Sequence, residues 1–539
     1  MPKVAEAGAG TVRMWPEWGQ VEPKKGEWNW EAADAIMEAA RSNKLRVNGI
    51  LMGSVPGSKG GSHAFPMSDL ERWSEYVRQT VAHTKGTVQH WEVWNEGNGG
   101  FNDGKHTTLD YAKLAAAAYA GAKKADPNVQ VAMTTASFDP AYLGRAMAAQ
   151  KANGGTAAFD FLCVHPYELA DNIGQPGGEI PFLWMSHMLR ETVKKHAPEK
   201  VNADIWITEI GRNIARRKNQ PLAEREAAAA LIKIYTLSFA QGIRCVQWFE
   251  GRDPAGEEPG FGLLKRDGSP RQSFDAFKKL AAVLGKTPRF IGWLDWNDTY
   301  GFVFEGTSGP VLIVWQDAGA PLSTQFDWGN VEVTAPLDTK TWKTGKSSPV
   351  EITREPVFIR NIPTLLLETA KRNGGKNWPW GGRYFAKTVN SQPGSPEIIG
   401  GVFQCGIRTQ PRVSFPDGGT GILLAANEGV RFFVHPSFAS IHQQEYYVRV
   451  TVRRVTPGNV GMNLHYEVAD TQGKSPVRNA GTWFGLNESN DWQTFTWHVK
   501  DACFAKMWGY DIALAPEQSQ PFVLGKVEVS TEAFSPAGK

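Results

Sequence analysis

The chain has 539 residues, of which 41% are hydrophobic and 21% are charged; these values are ordinary for a globular protein, and the length suggests about three domains. Its formal net charge of +3 is too small to indicate a nucleic-acid partner or an anionic membrane surface. No run of about 18 apolar residues predicts a membrane-spanning helix, and no signal peptide is visible at Met1.

Aromatic residues are abundant: 21 Trp, 12 Tyr and 27 Phe. Trp and Tyr combine a flat apolar face with a polar edge, which suits sugar ligands, but a large β-rich core would use them equally well. The four cysteines are too few for a disulfide framework. Cys163 and Cys245 lie in apolar strand-like runs and are expected to be buried thiols, whereas a pairing of Cys405 with Cys503 is left open.

Residues 1–285 alternate between short apolar runs and Ala-rich segments with helical spacing. Strands are predicted at 10–15, 45–52, 88–95, 129–135, 159–166, 204–209 and 243–249. Helices are predicted at 29–43, 67–84, 108–125, 139–152, 181–196, 221–241 and 270–284. Continuous apolar strands between helices indicate a parallel sheet that is buried on both faces. Seven such units, without a GxGxxG fingerprint after the first strand, favour a (β/α)₈ TIM barrel over an open doubly wound sheet.

One strand of that barrel is missing from the prediction. Residues 2–9 resemble the end of the first barrel helix, so the visible strands are strands two to eight. A barrel of seven strands would leave an unpaired edge on each side of the gap. Either the native chain begins upstream, which is our expectation, or another segment fills the position.

The remaining sequence predicts two all-β domains. Residues 286–370 contain short alternating strands that are separated by Gly, Pro and Asp, which indicates a small antiparallel β-sandwich. Longer strands within 371–539 suggest a second β-sandwich or a jelly roll. This last region is either a carbohydrate-binding module or a packing domain, and its candidate sugar platforms are Trp378, Trp380, Trp483, Trp492 and Trp508.

Polar residues at the carboxyl ends of the barrel strands are the candidates for catalysis, because the site of a (β/α)₈ barrel is built there. Asn95 and Glu96 end the strand that we number four, and Glu209 ends strand seven. Hydrolysis of a glycosidic bond needs two carboxyl groups, which retaining enzymes hold about 5–5.5 Å apart. The two glutamates are therefore expected to face each other across one sugar-sized gap.

This arrangement resembles clan A, the four-over-seven superfamily of retaining glycoside hydrolases, in particular its xylosidase-like and cellulase-like members. Trp94-Asn95-Glu96 resembles the acid/base motif of the clan, and Ile207-Thr208-Glu209 resembles its nucleophile strand. The resemblance covers residues 1–285. It implies further substrate-binding residues at Arg13, Trp15, Asn95, His165, Tyr167 and Trp248.

The resemblance implies a retaining hydrolase of β-glycosidic bonds in an oligo- or polysaccharide. Glu96 is expected to be the acid/base, with a pKa raised by its apolar surroundings and by Glu209. Arg13 and Tyr167 are expected to keep the nucleophile Glu209 ionised. No metal and no cofactor are implied, and the oligomeric state is open. The alternative is a glycan-binding or scaffold protein on a barrel that has lost its activity.

The substrate and the cellular location are less defined. Aromatic residues near the barrel mouth are candidate platforms: Trp15, Trp18, Tyr167, Trp184 and Phe249. A carboxylated or sulfated sugar would explain a group of basic residues in two loops, although a solvated surface explains it as well: Arg212, Arg216, Arg217, Lys218 and Arg252, partly offset by Glu257 and Glu258. A secreted, periplasmic or cell-surface location is expected from the polysaccharide substrate.

Overall fold

We analysed a computed structural model of the chain. It describes residues 1–54, 61–152, 155–215, 217–255, 260–296, 298–320, 323–338, 340–345, 349–382, 386–391, 393, 400–406, 410–439, 441–469 and 476–535. Within these residues, no helix is both long and apolar enough to cross a membrane.

The first part of the chain forms a seven-stranded parallel sheet in which each strand pairs with the next one in sequence. This confirms the predicted α/β architecture with a buried parallel sheet, and each predicted strand overlaps an observed one. The strands are β1 (Thr11–Arg13), β2 (Arg46–Leu51), β3 (His90–Val93), β4 (Gln130–Ala136), β5 (Phe161–His165), β6 (Asp204–Ile210) and β7 (Cys245–Trp248).

Helices connect these strands and cover the sheet. They are α1 (Pro2–Glu6), α2 (Trp18–Val21), α3 (Glu31–Ser42), α4 (Leu70–His83), α5 (Thr108–Ala125), α6 (Pro140–Ala152), α7 (Tyr167–Asn172), α8 (Glu179–Leu183), α9 (Met185–His196), α10 (Gln220–Ala240) and α11 (Gln272–Leu284), with a 3₁₀ turn at Pro198–Lys200. A capping box starts α5: Thr107 Oγ1 accepts a hydrogen bond from the Asp110 amide, and the Asp110 carboxylate accepts one from the Thr107 amide.

Three features of these helices differ from the prediction. The four-residue helix α2 was not predicted. The helix that we predicted at 181–196 is divided at Trp184, which ends α8 and precedes α9. The six-residue helix α7 directly follows β5 and was not predicted, because it is too short to show a helical period.

The edge strands of the parallel sheet are β1 and β7. Their side chains meet: Gln247 Nε2 donates to Thr11 Oγ1 at 3.1 Å, and Cys245 Sγ lies 3.6 Å from the same hydroxyl. A cavity of about 620 Å³ lies beside these residues and is bounded on its other side by Phe277 and Leu280 of α11.

The second region is antiparallel. Its main sheet has the order β13-β12-β15-β10-β9-β8, and β11 pairs with β14 in a two-stranded sheet. The strands are β8 (Arg289–Asp295), β9 (Thr299–Gly306), β10 (Gly309–Gln316), β11 (Ser323–Phe326), β12 (Glu332–Ala335), β13 (Lys340–Lys343), β14 (Val350–Thr353) and β15 (Val357–Arg360). Helix α12 (Thr364–Asn373) follows and packs against β8.

The third region contains two further antiparallel sheets, with the orders β18-β19-β27-β21-β25 and β17-β20-β26-β22-β23. Residues of both sheets share one apolar core, including Val448, Leu464, Ile512 and Val527. The strands are β16 (Thr388–Ser391), β17 (Val402–Gln404), β18 (Arg412–Ser414), β19 (Thr420–Leu424), β20 (Val430–Val434), β21 (Gln444–Arg454), β22 (Gly461–Glu467), β23 (Val477–Asn479), β24 (Phe484–Gly485), β25 (Trp492–Ala502), β26 (Ile512–Ala515) and β27 (Phe522–Ser530).

The pairing of Cys405 with Cys503 that we left open does not occur. No disulfide joins any two of the four cysteines, all of which lie in described residues. Cys503 is buried and its thiol donates to the Ile441 carbonyl oxygen at 3.0 Å, whereas Cys405 donates to the Gly509 carbonyl oxygen at 3.4 Å. Cys163 is buried, as predicted. Cys245, which was also predicted to be buried, is only partly buried, and desolvation raises the pKa of its thiol to about 11.

The three regions pack into one body. The apolar cluster of the parallel sheet continues into the antiparallel regions through Trp315, Trp380, Phe433 and Met507. Two of the candidate sugar platforms take part in this packing, since Trp380 Nε1 donates to the Thr299 carbonyl oxygen and Trp378 Nε1 to that of Leu183.

Candidate active site

The two candidate glutamates follow strand ends with irregular backbone. After β3 ends at Val93, Trp94 and Glu96 both adopt positive φ angles, of 68° and 48°. Such angles are uncommon for residues with a side chain and are concentrated at functional sites. Near Glu209, the pairing of β6 with β7 shifts register between Ile207 and Ile210, and a bulge of this kind redirects a side chain beside a site.

The two carboxyl groups lie close together. One carboxylate oxygen of Glu96, one of Glu209 and a ring nitrogen of His165 are all within 4.8 Å of one another. The separation of the glutamates therefore falls close to the roughly 5–5.5 Å of retaining glycosidases, and below the roughly 6.5–9.5 Å at which an inverting enzyme accommodates a water molecule.

Both oxygens of Glu209 accept a hydrogen bond. Arg13 Nη1 donates to Oε2 at 3.0 Å, and the Tyr167 hydroxyl donates to Oε1 at 2.8 Å. Burial and the charge of Glu209 raise the pKa of Tyr167, so its hydroxyl keeps the proton that it donates. These two donors orient the carboxylate.

Arg13 is itself held by a third carboxylate, Glu92, which sequence reasoning missed. The Arg13 guanidinium donates to both Glu92 oxygens, at 3.0 and 3.1 Å, and to Asn95 Oδ1 at 2.8 Å. Burial lowers the pKa of Arg13, but the charge and hydrogen bonds of Glu92 outweigh it, so the pKa is raised and the cation is fixed. Glu92 is fully buried, and a glutamate within an apolar buried strand was the sequence signal for this partner.

His165 joins Glu96 to the buried network of Thr208 and Glu92. Its Nδ1 lies 2.8 Å from Glu96 Oε1, and its Nε2 lies 3.2 Å from Thr208 Oγ1. The single hydroxyl proton of Thr208 is donated to Glu92 Oε2, so Thr208 can only accept from His165. Nε2 therefore carries a proton. When the pair of His165 and Glu96 has no net charge, one further proton lies in the hydrogen bond between Nδ1 and Glu96.

The expectation of a raised pKa for Glu96 is wrong for the free protein. Burial does raise this pKa, but the hydrogen bond from His165 and the positive charges of His165 and Arg13 outweigh it, so the net shift is downward. The prediction considered the apolar neighbours of Glu96 and omitted His165 as a partner of the carboxyl group.

Other predicted residues are divided between the site and the core. Asn95 is 7% exposed and is oriented by its bond to Arg13. Trp15 packs edge-on against Trp91 with ring centroids 4.8 Å apart. Trp248 Nε1 donates to the Phe261 carbonyl oxygen at 3.1 Å. Neither Trp15 nor Trp248 is among the residues that line the cavity described next.

The glutamates open into a cavity of about 1160 Å³. It exceeds the roughly 300–1,000 Å³ of most small-molecule pockets and has room for more than one sugar unit. Predicted platforms Tyr167 and Phe249 line it, whereas Trp18 and Trp184 are buried in the core.

Four further acidic residues line this cavity and were not predicted: Glu168, Asp171, Glu226 and Glu355. Burial raises the pKa of Glu168 and of Asp171. Ser137 Oγ donates to Glu168 Oε1 at 2.8 Å, while Oε2 is buried and accepts no hydrogen bond from the described residues. Glu168 follows Tyr167 directly in sequence, but nothing in the residue pattern distinguishes it from a surface glutamate.

Only some of the basic residues that were predicted to lie near the substrate line the cavity. Arg212, Arg217 and Lys218 line it; Arg252 is exposed elsewhere, and Arg216, Glu257 and Glu258 lie outside the described residues. Arg212 donates to the backbone carbonyl oxygens of Ala170, Asp171 and Ile173, so it caps the end of α7.

Glu96, His165 and Glu209 also form a possible metal-ligand set among the described residues. Arg13 argues against a cation at this position, because its guanidinium lies 3.0 Å from Glu209 Oε2 and its positive charge would repel a metal ion bound there.

Comparisons with known proteins agree with the resemblance seen in the sequence. Residues 13–135 match the sequence model of glycosyl hydrolase family 10. The chain is 32% identical over 126 residues to endo-1,4-beta-xylanase A from Halalkalibacterium halodurans, covering 19% of this chain and 31% of the xylanase. It thus spans about a third of the length of this curated relative.

Among solved structures, a family 39 glycoside hydrolase from Bacteroides cellulosilyticus WH2 is similar at a TM-score of 0.55 and 18% identity, over 66% of this chain and 76% of that one. A glucosidase from Croceicoccus marinus has a TM-score of 0.46 and 13% identity, over 98% of this chain and 91% of that one. The family 10 match and the family 39 fold confirm the resemblance to clan A glycoside hydrolases.

Proposed function

We propose that this protein is a retaining glycoside hydrolase that cleaves β-glycosidic bonds by double displacement. The single observation that carries the proposal is the separation of the two glutamates: one oxygen of Glu96 and one of Glu209 lie within 4.8 Å. This distance suits a nucleophile that bonds the sugar directly.

In the first step, Glu209 attacks the anomeric carbon while Glu96 protonates the leaving oxygen. Arg13 and Tyr167 hold the two Glu209 oxygens at 3.0 and 2.8 Å and leave the carboxylate little rotational freedom, which supports its role as nucleophile. The proton shared in the Glu96–His165 hydrogen bond supplies the acid. A substrate that displaces water from Glu96 favours the neutral carboxyl group and so shifts this proton toward the glutamate.

In the second step, Glu209 is an uncharged glycosyl ester, and the negative charge next to Glu96 has disappeared. Glu96 then takes a proton from water, which attacks the anomeric carbon and releases the sugar with its original configuration. The bond from Arg13 to Asn95 Oδ1 leaves the Asn95 amide Nδ2 as a donor for the sugar 2-hydroxyl. Such a bond strengthens as charge develops on the ring.

The proposed substrate class is a β-1,4-linked polysaccharide or its oligosaccharides, with xylan as the first choice because the similar curated protein is an endo-1,4-beta-xylanase. The cavity volume supports a substrate longer than one sugar unit. For the fold, we propose a (β/α)₈ barrel with a further strand between β1 and β7, where the cavity of about 620 Å³ lies.

The proposal is tested by incubating the protein with aryl β-glycosides and with xylan, and by following the first-formed product by proton NMR. We expect hydrolysis with a β-configured first product. An α-configured first product would contradict double displacement. Binding of xylan without any hydrolysis would favour the alternative of a glycan-binding protein that has lost its activity.

A further inference from the structure

An exposed tryptophan of the third region stands at the candidate active site. Trp508 is 49% exposed, and it lines the same cavity as Glu96 and Glu209. It also lines two neighbouring cavities, one of about 640 Å³ beside α5 and α6, and one of about 930 Å³ along the third region near Arg431 and Tyr510. Trp508 therefore marks the point where the catalytic cavity continues onto the third region.

A buried carboxylate fixes the loop between β25 and β26 that carries Trp508. Glu467 is fully buried and accepts hydrogen bonds from three successive backbone amides, those of Ala505, Lys506 and Met507, at 2.6, 2.7 and 2.5 Å. The Lys506 ammonium group forms a buried ion pair with Asp511 at 3.1 Å. A loop held in this way presents its exposed side chain at a small entropic cost on binding.

The same loop is docked on α7, the helix that begins with Tyr167. Asn172 Nδ2 donates to the Gly509 carbonyl oxygen at 2.9 Å. Gly509 has a φ of 75°, and a Cβ atom at this position would lie 2.7 Å from the Glu168 carbonyl oxygen. Met507 is 3% exposed and belongs to the apolar cluster of the parallel sheet. The position of Trp508 relative to the catalytic cavity is thus fixed from both sides.

Trp508 is a large apolar side chain that stays exposed between buried neighbours, at the junction of three cavities. Such a side chain suits a ligand with flat apolar faces and polar edges. Sugar rings have this form, and an indole ring offers a face for stacking and an N–H group for a hydrogen bond. The other exposed tryptophan of the third region, Trp483, is 38% exposed and lines none of these three cavities. Both tryptophans are therefore exposed, but of the two only Trp508 lies at the catalytic cleft.

We propose that Trp508 forms a sugar-binding subsite of the catalytic cleft, which stacks against a sugar unit away from the bond that is cleaved. The third region then contributes directly to substrate binding at the active site and is not a separately acting binding module. This inference rests on the proposed function, because the ligand is the carbohydrate substrate of the same cavity.

The test compares Trp508→Ala and Trp508→Phe with Trp483→Ala as a matched control. The probes are xylo-oligosaccharides of two to six units and an aryl β-xyloside. For Trp508→Ala we expect a loss of kcat/KM that grows with chain length and reaches about 10-fold for the longest oligosaccharide, mainly through KM. Trp508→Phe should recover part of this loss, and Trp483→Ala should stay within twofold of the wild type on every probe. A loss that is independent of chain length, or the same for Trp508→Ala and Trp483→Ala, would overturn the proposal.

Binding separates this inference from the proposed function. Isothermal titration of the same oligosaccharides into the wild-type protein and the variants, with thermal unfolding curves to show that each is folded, needs no turnover. If the wild type binds but does not hydrolyse, and binding weakens about 10-fold in Trp508→Ala, only the proposed function fails. If the wild type hydrolyses and binding is unchanged in Trp508→Ala, only the role of Trp508 fails. Absence of binding to the wild type overturns the role of Trp508 as well.

Discussion

At Glu96, burial and hydrogen bonding act on the same carboxyl group in opposite directions. Burial raises its pKa, and the bond of 2.8 Å to His165, with the charges of His165 and Arg13, lowers it further than burial raises it. Two neighbouring carboxyl groups, Glu168 and Asp171, have raised pKa values in the same cavity. The acid role of Glu96 therefore has to be separated experimentally from that of Glu168.

We predict that Glu96→Ala lowers kcat/KM about 10²–10⁴-fold for substrates with poor leaving groups, such as xylo-oligosaccharides, because these need a proton. Aryl glycosides with acidic phenols should lose far less in the first step. The comparison is made with Glu168→Gln, which removes the carboxyl group of another cavity residue with a raised pKa. If Glu168→Gln shows this dependence on the leaving group and Glu96→Ala does not, the acid is Glu168.

The sequence predicted the residues that end strands and missed those that support them. Glu96 and Glu209 were identified because a charged residue at the end of an apolar strand has to face a polar cavity, and Arg13 because it matches the pattern of clan A. Glu92 contacts Arg13, and Thr208 contacts His165. These contacts depend on distances between strands, which a local sequence pattern does not contain. The downward pKa shift of Glu96 was missed for the same reason, since it follows from the contact with His165.

Helix α7 connects the nucleophile Glu209 to Arg212 and to the loop of Trp508 in the third region. It starts with Tyr167, which donates to Glu209; Arg212 caps its last carbonyl groups, and the loop of Trp508 packs on it. Arg212 was predicted only as a member of a basic loop. Its bonds to backbone oxygens give it a structural role that does not require an anionic substrate.

We predict that Arg212→Ala lowers the free energy of unfolding by about 1–3 kcal/mol, because backbone carbonyl groups of α7 lose their donor. It should also lower kcat, since Tyr167 is then held less firmly. Denaturant unfolding and steady-state kinetics measure the two effects. Arg217→Ala, on the same loop and exposed, should change neither.

A specific loss of activity toward glucuronic-acid-containing substrates in both arginine variants, with neutral substrates unaffected, would contradict this structural role. Such a result would support a carboxylated or sulfated sugar as the substrate, the alternative that the basic residues of this loop left open.

The strands of the parallel sheet were predictable, because buried parallel strands are continuous apolar runs and most intervening segments are Ala-rich with apolar residues at helical spacing. The short helix α7 and the division of the predicted helix 181–196 at Trp184 were not. Six residues cannot show a period, and Trp184, at the break, packs edge-on against His435 of the third region, a contact that the local sequence does not show.

The first two regions of the molecule are joined by buried polar contacts as well as by apolar packing. Asp317, after β10, accepts hydrogen bonds from the Gly177 amide and the Tyr300 hydroxyl, both at 2.9 Å. Glu179 of α8 is fully buried nearby and pairs with Lys233 of α10 at 3.1 Å. Burial and the charge of Glu179 raise the pKa of Asp317 to about 7.

This shift predicts a stability that depends on pH. Because the folded pKa of Asp317 lies above the value of about 4 expected for the unfolded chain, the folded protein binds more protons between these values. The free energy of unfolding should therefore fall as the pH rises from about 4 to about 7.

Asp317→Asn should remove this part of the slope, even if the variant is less stable at every pH, and the exposed Asp327→Asn should retain it. Urea unfolding at several pH values measures the slope. An unchanged slope in Asp317→Asn would show that Asp317 does not titrate in this range.

The proposed role of Glu209 as the nucleophile that bonds the sugar is tested with Glu209→Ala in the presence of azide. The variant alone should lose activity by several orders of magnitude, because no group remains to form the intermediate. With an activated aryl β-glycoside, azide should enter the vacated position and yield an α-glycosyl azide, identified by NMR. Near-native activity of Glu209→Ala, or a β-glycosyl azide as the product, would contradict the assignment of Glu209 as the nucleophile.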